Sequence, residues 1–506
     1  MLKMERFSVG PLTVALFLAL CGLMALGAAT AQGDEDSIVI AQTVDATSLD
    51  PAFRDNTRTG NLILHIFDPL VMRMPDMSLE PWLAESLEQV SDTEWLVHLR
   101  GGIMFSNGEP LNAQAVAFSL ERILDPELQA PTTRWFNTFT SIEVVDELTL
   151  RITTDSVDPL FPVRLTFLYP VPPEYVQEIG NSQFALNPIG TGPYELVEWV
   201  RDDHIALEAK SDYWREPAAI ESVTFRVVPE EVSRVSALVT GEADLIESIS
   251  PEQGDYLSGI DEVRVETAPS TRALVLNFGT DVPPADQQKF RAAVGHAINT
   301  EVIVSGLYKG YAEPVNSYMS PATPGWPNEN DYTFEYDPER ARELLSEIDL
   351  GDQEIVLRST TAYPIFRNLA LVLASQLSEV GLNVEVTSEE WGAWFADLQA
   401  KDMSAIYLND HGNVWIDPYP QLDAFFHSEG FLSTYSNPEV DELLASSNMA
   451  RGEERSQILG EAMQVLIDDA AGVPLLSQVS IYGVNESLQW QPRPDGVINA
   501  YEMATD

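Results

Sequence analysis

Between Glu94 and Arg100 the side chains alternate, with Trp95, Val97 and Leu99 on one side and Leu96, His98 and Arg100 on the other, which also carries the polar groups. A period of two is that of a half-buried strand. Gly101-Gly102 and Asn107-Gly108 follow, pairs that tolerate positive φ and let the chain reverse twice around Ile103 to Phe105. Asn112 then supplies a capping oxygen for a helix whose Ala113, Val116, Ala117, Leu120 and Leu124 share one stripe. Strand, turns and helix make one compact unit between Leu79 and Leu124.

The same alternation and spacing recur along the chain. Ile38 to Val44 predicts a strand running into the polar turn Asp45 to Pro51, and Asn61 to Leu70 a short amphipathic helix. Ser141 to Thr153 predicts two strands around Asp146-Glu147, whereas the prolines at 159, 162, 170, 172 and 173 disfavour long elements there. A helix from about Glu231 to Thr240 stops at Gly241, and Ala243 to Ile246 resumes a strand. Asp337-Pro338-Glu339 and Asn437-Pro438-Glu439 each join an N-cap, a proline in the first helical position and an acid at the positive helix end. Ile365 to Val380 predicts a helix ending at Gly381, with Val384 and Val386 on the next strand. Helix and strand steps of this kind predict an α/β fold. No period of about 20 to 50 residues is present, which argues against solenoids and propellers.

Length changes the picture: 506 residues with 45% hydrophobic content exceed one ordinary core, so two or three lobes are expected. Lys3 and Arg6 precede the apolar run Pro11 to Ala29, and Ala29-Thr30-Ala31 has the small-x-small form of a cleavage site. Residues 1–31 therefore read as a secretory signal peptide. Cys21, the single cysteine, falls inside it after Leu20 rather than after a small residue, so it is expected to leave with the signal rather than carry a lipid. The mature chain then has no disulfide, thiol metal site or cysteine nucleophile.

Charge narrows the partners. With 28 Lys and Arg against 79 Asp and Glu, the formal net charge is −51, which opposes nucleic acid and anionic membranes. The acids are dispersed, as on a solubilising surface suited to saline surroundings.

Several stretches together resemble one family. The run LxPxLAESxE, then W-x-V-H-L-R-x-G-I-x-F-S-N-G-E-P-L-N-A-x-x-V-A-F-S-L-E-R-I, is similar to the signature of peptide/nickel-type solute-binding proteins of ABC importers. Asn187 to Trp199, Ser211 to Trp214, Phe225 to Glu242 and Asn277 to Asn299 extend the resemblance in that family's order. It implies a two-lobed periplasmic binding protein fold of type II, similar to cluster C, with an inserted subdomain. It also implies a discontinuous division: 32–63, 187–268 and 479–506 in lobe I, 64–186 inserted in it, and 269–478 in lobe II. Two crossings of the chain would form the hinge of a ligand trap. The implied protein is a periplasmic, monomeric receptor that passes a small polar solute to an inner-membrane ABC permease with its ATPase subunits. An oligopeptide comes first as ligand, with an oligosaccharide, opine or other non-peptide solute as the alternative.

Catalytic patterns are missing. There is no G-x-S-x-G elbow, Walker A loop or H-E-x-x-H, and the six histidines never pair at metal spacing. A secreted hydrolase is the different-class alternative, but no catalytic residue, cofactor or metal is expected. Gly190-Thr191-Gly192 leads into Pro193 and a strand, a structural turn rather than a phosphate cradle.

The candidate ligand loop is Tyr407 to Phe426, YLNDHGNVWIDPYPQLDAFF. The resemblance places an amine-binding aspartate and then an Asp-Pro pair here. Asp417-Pro418 matches the pair, while Asn413 or Val414 occupies the aspartate's position and Asp410 lies upstream. The arginine that relatives use for a dipeptide carboxylate falls near Thr360, with Arg358 and Arg367 as neighbours. Candidate contacts are thus Asp410, Asn413, Trp415 and Asp417, joined by Asp45 and Thr47, whose turn either faces the cleft or is simply solvated. Trp391 and Trp394 read as lobe core, and His411 is the one suggestive histidine of this loop.

Overall fold

The fold is that of a computed structural model, which describes residues 37–324, 334–351, 353–361, 364–412 and 415–505. The signal-peptide segment 1–31 with Cys21, and the candidate Asn413, lie outside the described residues.

Eleven strands form one mixed sheet running through both halves of the chain. At one end, Ser37–Gln42 lies parallel to both Ser222–Val227 and Leu245–Ile246, with His204–Ala209 and Tyr194–Val200 antiparallel beyond. At the other end, Ile355–Thr360 lies parallel to both Val384–Glu389 and Ile406–Gly412. Two long antiparallel strands, Val263–Phe278 and Gly472–Asn485, join the ends. Their register runs from Val263↔Asn485 to Pro269↔Val479, breaks, and resumes from Ala273↔Ser477 to Asn277↔Gly472.

The apolar core changes over at that break. Buried side chains from Ile38 to Val265, together with Ile481 to Met503, pack on one side, and those from Ala273 to Leu476 on the other. Residues on each side therefore make a core of their own, and the two crossing strands carry the covalent link.

Local signals explain the elements. Asn112 Oδ1 accepts from the Ala115 N–H at 3.0 Å and starts the helix Ala113–Leu124. That helix packs on the antiparallel sheet formed by Ala84–Gln89, Glu94–Leu99, Phe139–Asp146 and Thr149–Thr154. Asp337 and Asn437 cap Pro338–Ser346 and Pro438–Met449 as their sequences predict. A Cβ on Gly190 or Gly192 would sit 2.1 Å from the Ile66 carbonyl oxygen or 2.6 Å from that of His65, so the turn exists for close packing on the helix Thr57–Ile66.

Two motifs of the sequence meet at one buried carboxylate. Asp68 accepts from Trp82 Nε1 at 2.8 Å, from the Tyr213 hydroxyl at 2.9 Å and from Trp214 Nε1 at 2.8 Å. Trp82, inside the LxPxLAESxE run, and the Ser211 to Trp214 stretch are therefore the two sides of a single clamp.

His65 is buried and holds the C-terminal segment. Its Nδ1–H donates to the Asn61 carbonyl at 2.6 Å, and Nε2 accepts from the Ala500 N–H at 2.9 Å. Burial lowers its pKa from 6.5 to about 4, against the smaller opposing pull of the Asn61 carbonyl. Burial likewise lowers that of His411 from 6.5 to about 3. The unfolded chain takes up these protons first, so stability falls as pH drops from 6.5 towards 4, by about 1.4 kcal/mol per pH unit for each histidine. Urea unfolding midpoints should decline steadily across that window, and a flat profile would contradict the burial of these rings.

Candidate functional site

The strand Ile406–Gly412 ends beside the helices Trp391–Gln399 and Pro418–Phe426, at the carboxyl end of the parallel strands. That position is where open α/β sheets leave a crevice. A cavity of about 220 Å³ opens there, lined among others by Trp391, Trp394, Phe395, Asp410, Gln421 and Phe431. The Asp410 side chain is 7% exposed; its Oδ2 accepts from Arg272 Nη1 at 2.6 Å. Its Oδ1 is buried with no hydrogen-bond partner among the described residues, and so is the indole N–H of Trp394. A buried carboxylate oxygen without a donor is costly, so Asp410 Oδ1 keeps accepting capacity that the described residues do not use.

The aromatic lining divides. Trp394 is fully buried, whereas Trp391 is 42% exposed and stacks on Trp394 at 5.5 Å and on Phe395 at 5.3 Å. The core expectation therefore holds for Trp394, while Trp391 presents a face to the cavity mouth.

Trp415 reaches the other half of the molecule. Its ring meets Phe167 edge-on at 5.8 Å with the Arg164 guanidinium 5.0 Å away, and its carbonyl accepts from Arg73 Nη2 at 3.2 Å. Phe167 itself stacks on Trp135 at 4.3 Å. The loop after Ile406–Gly412 and this aromatic wall thus face each other where the two halves meet.

The remaining candidates have partners within the protein. Asp417 Oδ1 caps the helix Pro418–Phe426 by accepting from the Tyr419 N–H, and its carboxylate forms a two-pronged pair with Arg455 at 2.7 and 2.8 Å. Asp45 accepts from Trp199 Nε1 at 3.0 and 3.2 Å and from the Asp202 N–H at 3.1 Å, tying its turn to the hairpin between Tyr194 and Ala209. Thr47 donates to Asp55 Oδ1 at 3.0 Å. His411 stacks on Phe425 at 4.0 Å and pairs with Asn277 inside the core. No cluster of three metal-binding side chains occurs among the described residues.

The profile of bacterial extracellular solute-binding proteins, family 5 (middle region), matches residues 78–433. The chain belongs to that family. A glutathione-binding protein, GsiB of Shigella flexneri serotype 5b, is 26% identical to this family 5 protein over 494 residues, covering 93% of this chain and 96% of that protein. Among solved structures, the ABC transporter substrate-binding protein CtaP of Listeria monocytogenes is similar with a TM-score of 0.84, at 24% identity, covering 93% of this chain and 99% of that chain. DppA of Helicobacter pylori, solved in complex with the peptide STSA, is similar with a TM-score of 0.76, at 23% identity, covering 93% and 98%. The fold is accordingly the two-lobed one of periplasmic binding proteins, and the family 5 protein is a binding protein for a solute, not an enzyme. No helix among the described residues is long and apolar enough to cross a membrane.

Arginines of this family 5 protein differ in availability. Arg358 is held by Glu389 at 2.6 and 2.8 Å and by Asp397 at 2.5 Å, beside Thr360, which is buried. Arg367 is exposed on the helix Pro364–Glu379. The wall of Trp135, Arg164 and Phe167 was not legible from spacing. The one signal was the density of arginines and aromatics between Arg134 and Tyr169 in a chain otherwise short of cations.

Proposed function

We propose that this protein is the periplasmic receptor of an ABC importer for short peptides, enclosing its ligand between two lobes and delivering it to an inner-membrane permease with its ATPase subunits. Asp410 carries the reading: a nearly buried carboxylate with one oxygen unused, in a cavity walled by aromatic rings, fits a ligand ammonium. GsiB is named for a peptide and DppA was solved with one, which supports the same ligand class. Asp410 and Trp415 contact the ligand, with Asn413 between them in the loop, while Asp45, Thr47 and Asp417 hold the cleft's framework. The signal-like segment up to Ala31 supports export to the periplasm. The receptor acts as a monomer.

Lobe I takes 32–63, 187–268 and 479–506 with 64–186 inserted, and lobe II takes 269–478. The change of core at the break between Pro269 and Ala273 supports this division, although the inserted segment shares the core of lobe I rather than making its own. The two long strands then serve as the hinge.

A thermal-shift screen tests the ligand class. Peptides with a free amino group raise the unfolding temperature, because a ligand at 100 times its Kd stabilises by about 2.7 kcal/mol. Oligosaccharides and opines do not. Stabilisation by sugars or opines alone would overturn the peptide reading, and turnover of any hit would overturn the receptor reading.

A further inference from the structure

A peptide that places its ammonium at Asp410 has a carboxylate at its other end, and the side of the molecule that holds Asp410 has little to offer it. Arg358 is already gripped by Glu389 and Asp397, and Arg272 is paired with Asp410 itself. The opposite wall differs. The Arg54 guanidinium lies 5.3 Å from the Phe167 ring and 5.9 Å from that of Tyr169, and its Nη1 donates to the Tyr169 hydroxyl at 3.4 Å. Among the described residues no carboxylate oxygen pairs with it within 4.0 Å.

A second guanidinium shares the ring. Arg73 lies 5.8 Å from the Phe167 centroid and donates to the carbonyl of Trp415. Burial lowers the Arg73 pKa to about 10; Asp495 opposes the fall, and the nearby charges of Arg54 and Arg493 add to it. Two like charges brought to one ring repel, and in a chain with 28 cations and 79 anions such crowding is not forced by composition. The helix even makes room for it. A side chain at Gly60 would come within 2.5 Å of Arg54 Nε, so a glycine stands in a helix interior where it costs about 1 kcal/mol relative to alanine.

The span suits a short ligand. Asp410 and Trp415 are five residues apart in the chain, so their Cα atoms lie within about 17 Å of one another. Trp415 in turn touches the same Phe167 ring as both arginines.

We infer that Arg54, set against Phe167 and Tyr169, forms the binding place for the terminal carboxylate of a short peptide, on the wall opposite the Asp410 cavity. Closure over the ligand then joins the two walls through the peptide itself: ammonium on Asp410, carboxylate on Arg54. A planar guanidinium fork suits a carboxylate better than a lysine would. The inference rests on the peptide reading above.

The test uses the full mature chain with glutathione and trialanine, each as free acid and as C-terminal amide, titrated calorimetrically. At least one free acid binds the wild type about 30-fold more tightly than its amide. Arg54→Gln removes that gap, leaving acid and amide alike. An equal loss for both, or a gap that survives, overturns the carboxylate site while the peptide receptor stands. A wild type that binds none of the four probes overturns both. Should Arg54→Gln fail to fold, Arg54→Lys carries the test, since it keeps the charge and loses the fork: its gap narrows at least three-fold, and an unchanged gap overturns the inference.

Discussion

Asp410→Asn lowers the affinity for a peptide with a free amino group by about 100-fold and leaves the unfolding midpoint close to that of the wild type. The substitution keeps the volume and an oxygen that accepts from Arg272 Nη1, while the side chain at 410 becomes neutral. What it removes is the negative charge facing the cavity, where a charge-assisted hydrogen bond in a desolvated site contributes about 1.5 to 3 kcal/mol. An N-acetylated form of the same peptide gives the control. Acetylation alone costs the wild type a similar factor, and Asp410→Asn adds little to it, because both changes remove the same pair. Calorimetric titration of the four combinations measures this. If the two losses simply multiply, Asp410 does not meet the ammonium.

Asp68→Ala has the largest expected effect on stability, on the order of 4 kcal/mol, because it leaves donors of Trp82, Tyr213 and Trp214 facing an apolar gap. Asp68 is 1% exposed, and the Tyr213 hydroxyl it accepts from is pushed far above its ordinary pKa by burial and by the Asp68 charge. Asp68→Asn is milder, since its amide oxygen still accepts from Trp82 Nε1 and the Tyr213 hydroxyl, and only the Trp214 indole loses its acceptor. Chemical denaturation of the three proteins reads both losses. Equal, small losses would mean that water replaces the carboxylate and that the clamp is not structural.

Much of the framework was legible because its causes are local. The caps at Asn112, Asp337 and Asn437 act within three residues of themselves, and helix stops at Gly241 and Gly381 need only a positive φ. Strand periodicity likewise placed Glu94–Leu99 and Val384–Glu389. The division of the core was not legible from periodicity, since it depends on two strands about two hundred residues apart in the chain pairing across a register break.

The site was legible only in part, for the same reason. Asp410, in the strand Ile406–Gly412, and Trp415, just beyond it, fall in one short stretch of sequence, and polar residues around a tryptophan mark it. Arg54 and Arg73 sit in a turn and a short strand with no pattern of their own, and their meaning comes from Phe167 and Tyr169, about a hundred residues away. Asp45 and Asp417 illustrate the converse. An aspartate in a turn or before a proline serves as readily to bind nearby N–H groups as to bind a ligand, and both carboxylates here hold the protein's own donors.

Small-angle scattering on the mature protein, with and without a peptide that calorimetry shows to saturate it, bears most directly on the claim that two lobes close over a solute. The radius of gyration falls on saturation, and the scattering curve shifts to that of a more compact particle as the cleft shuts about the crossing strands. Superimposable curves at full saturation would contradict it.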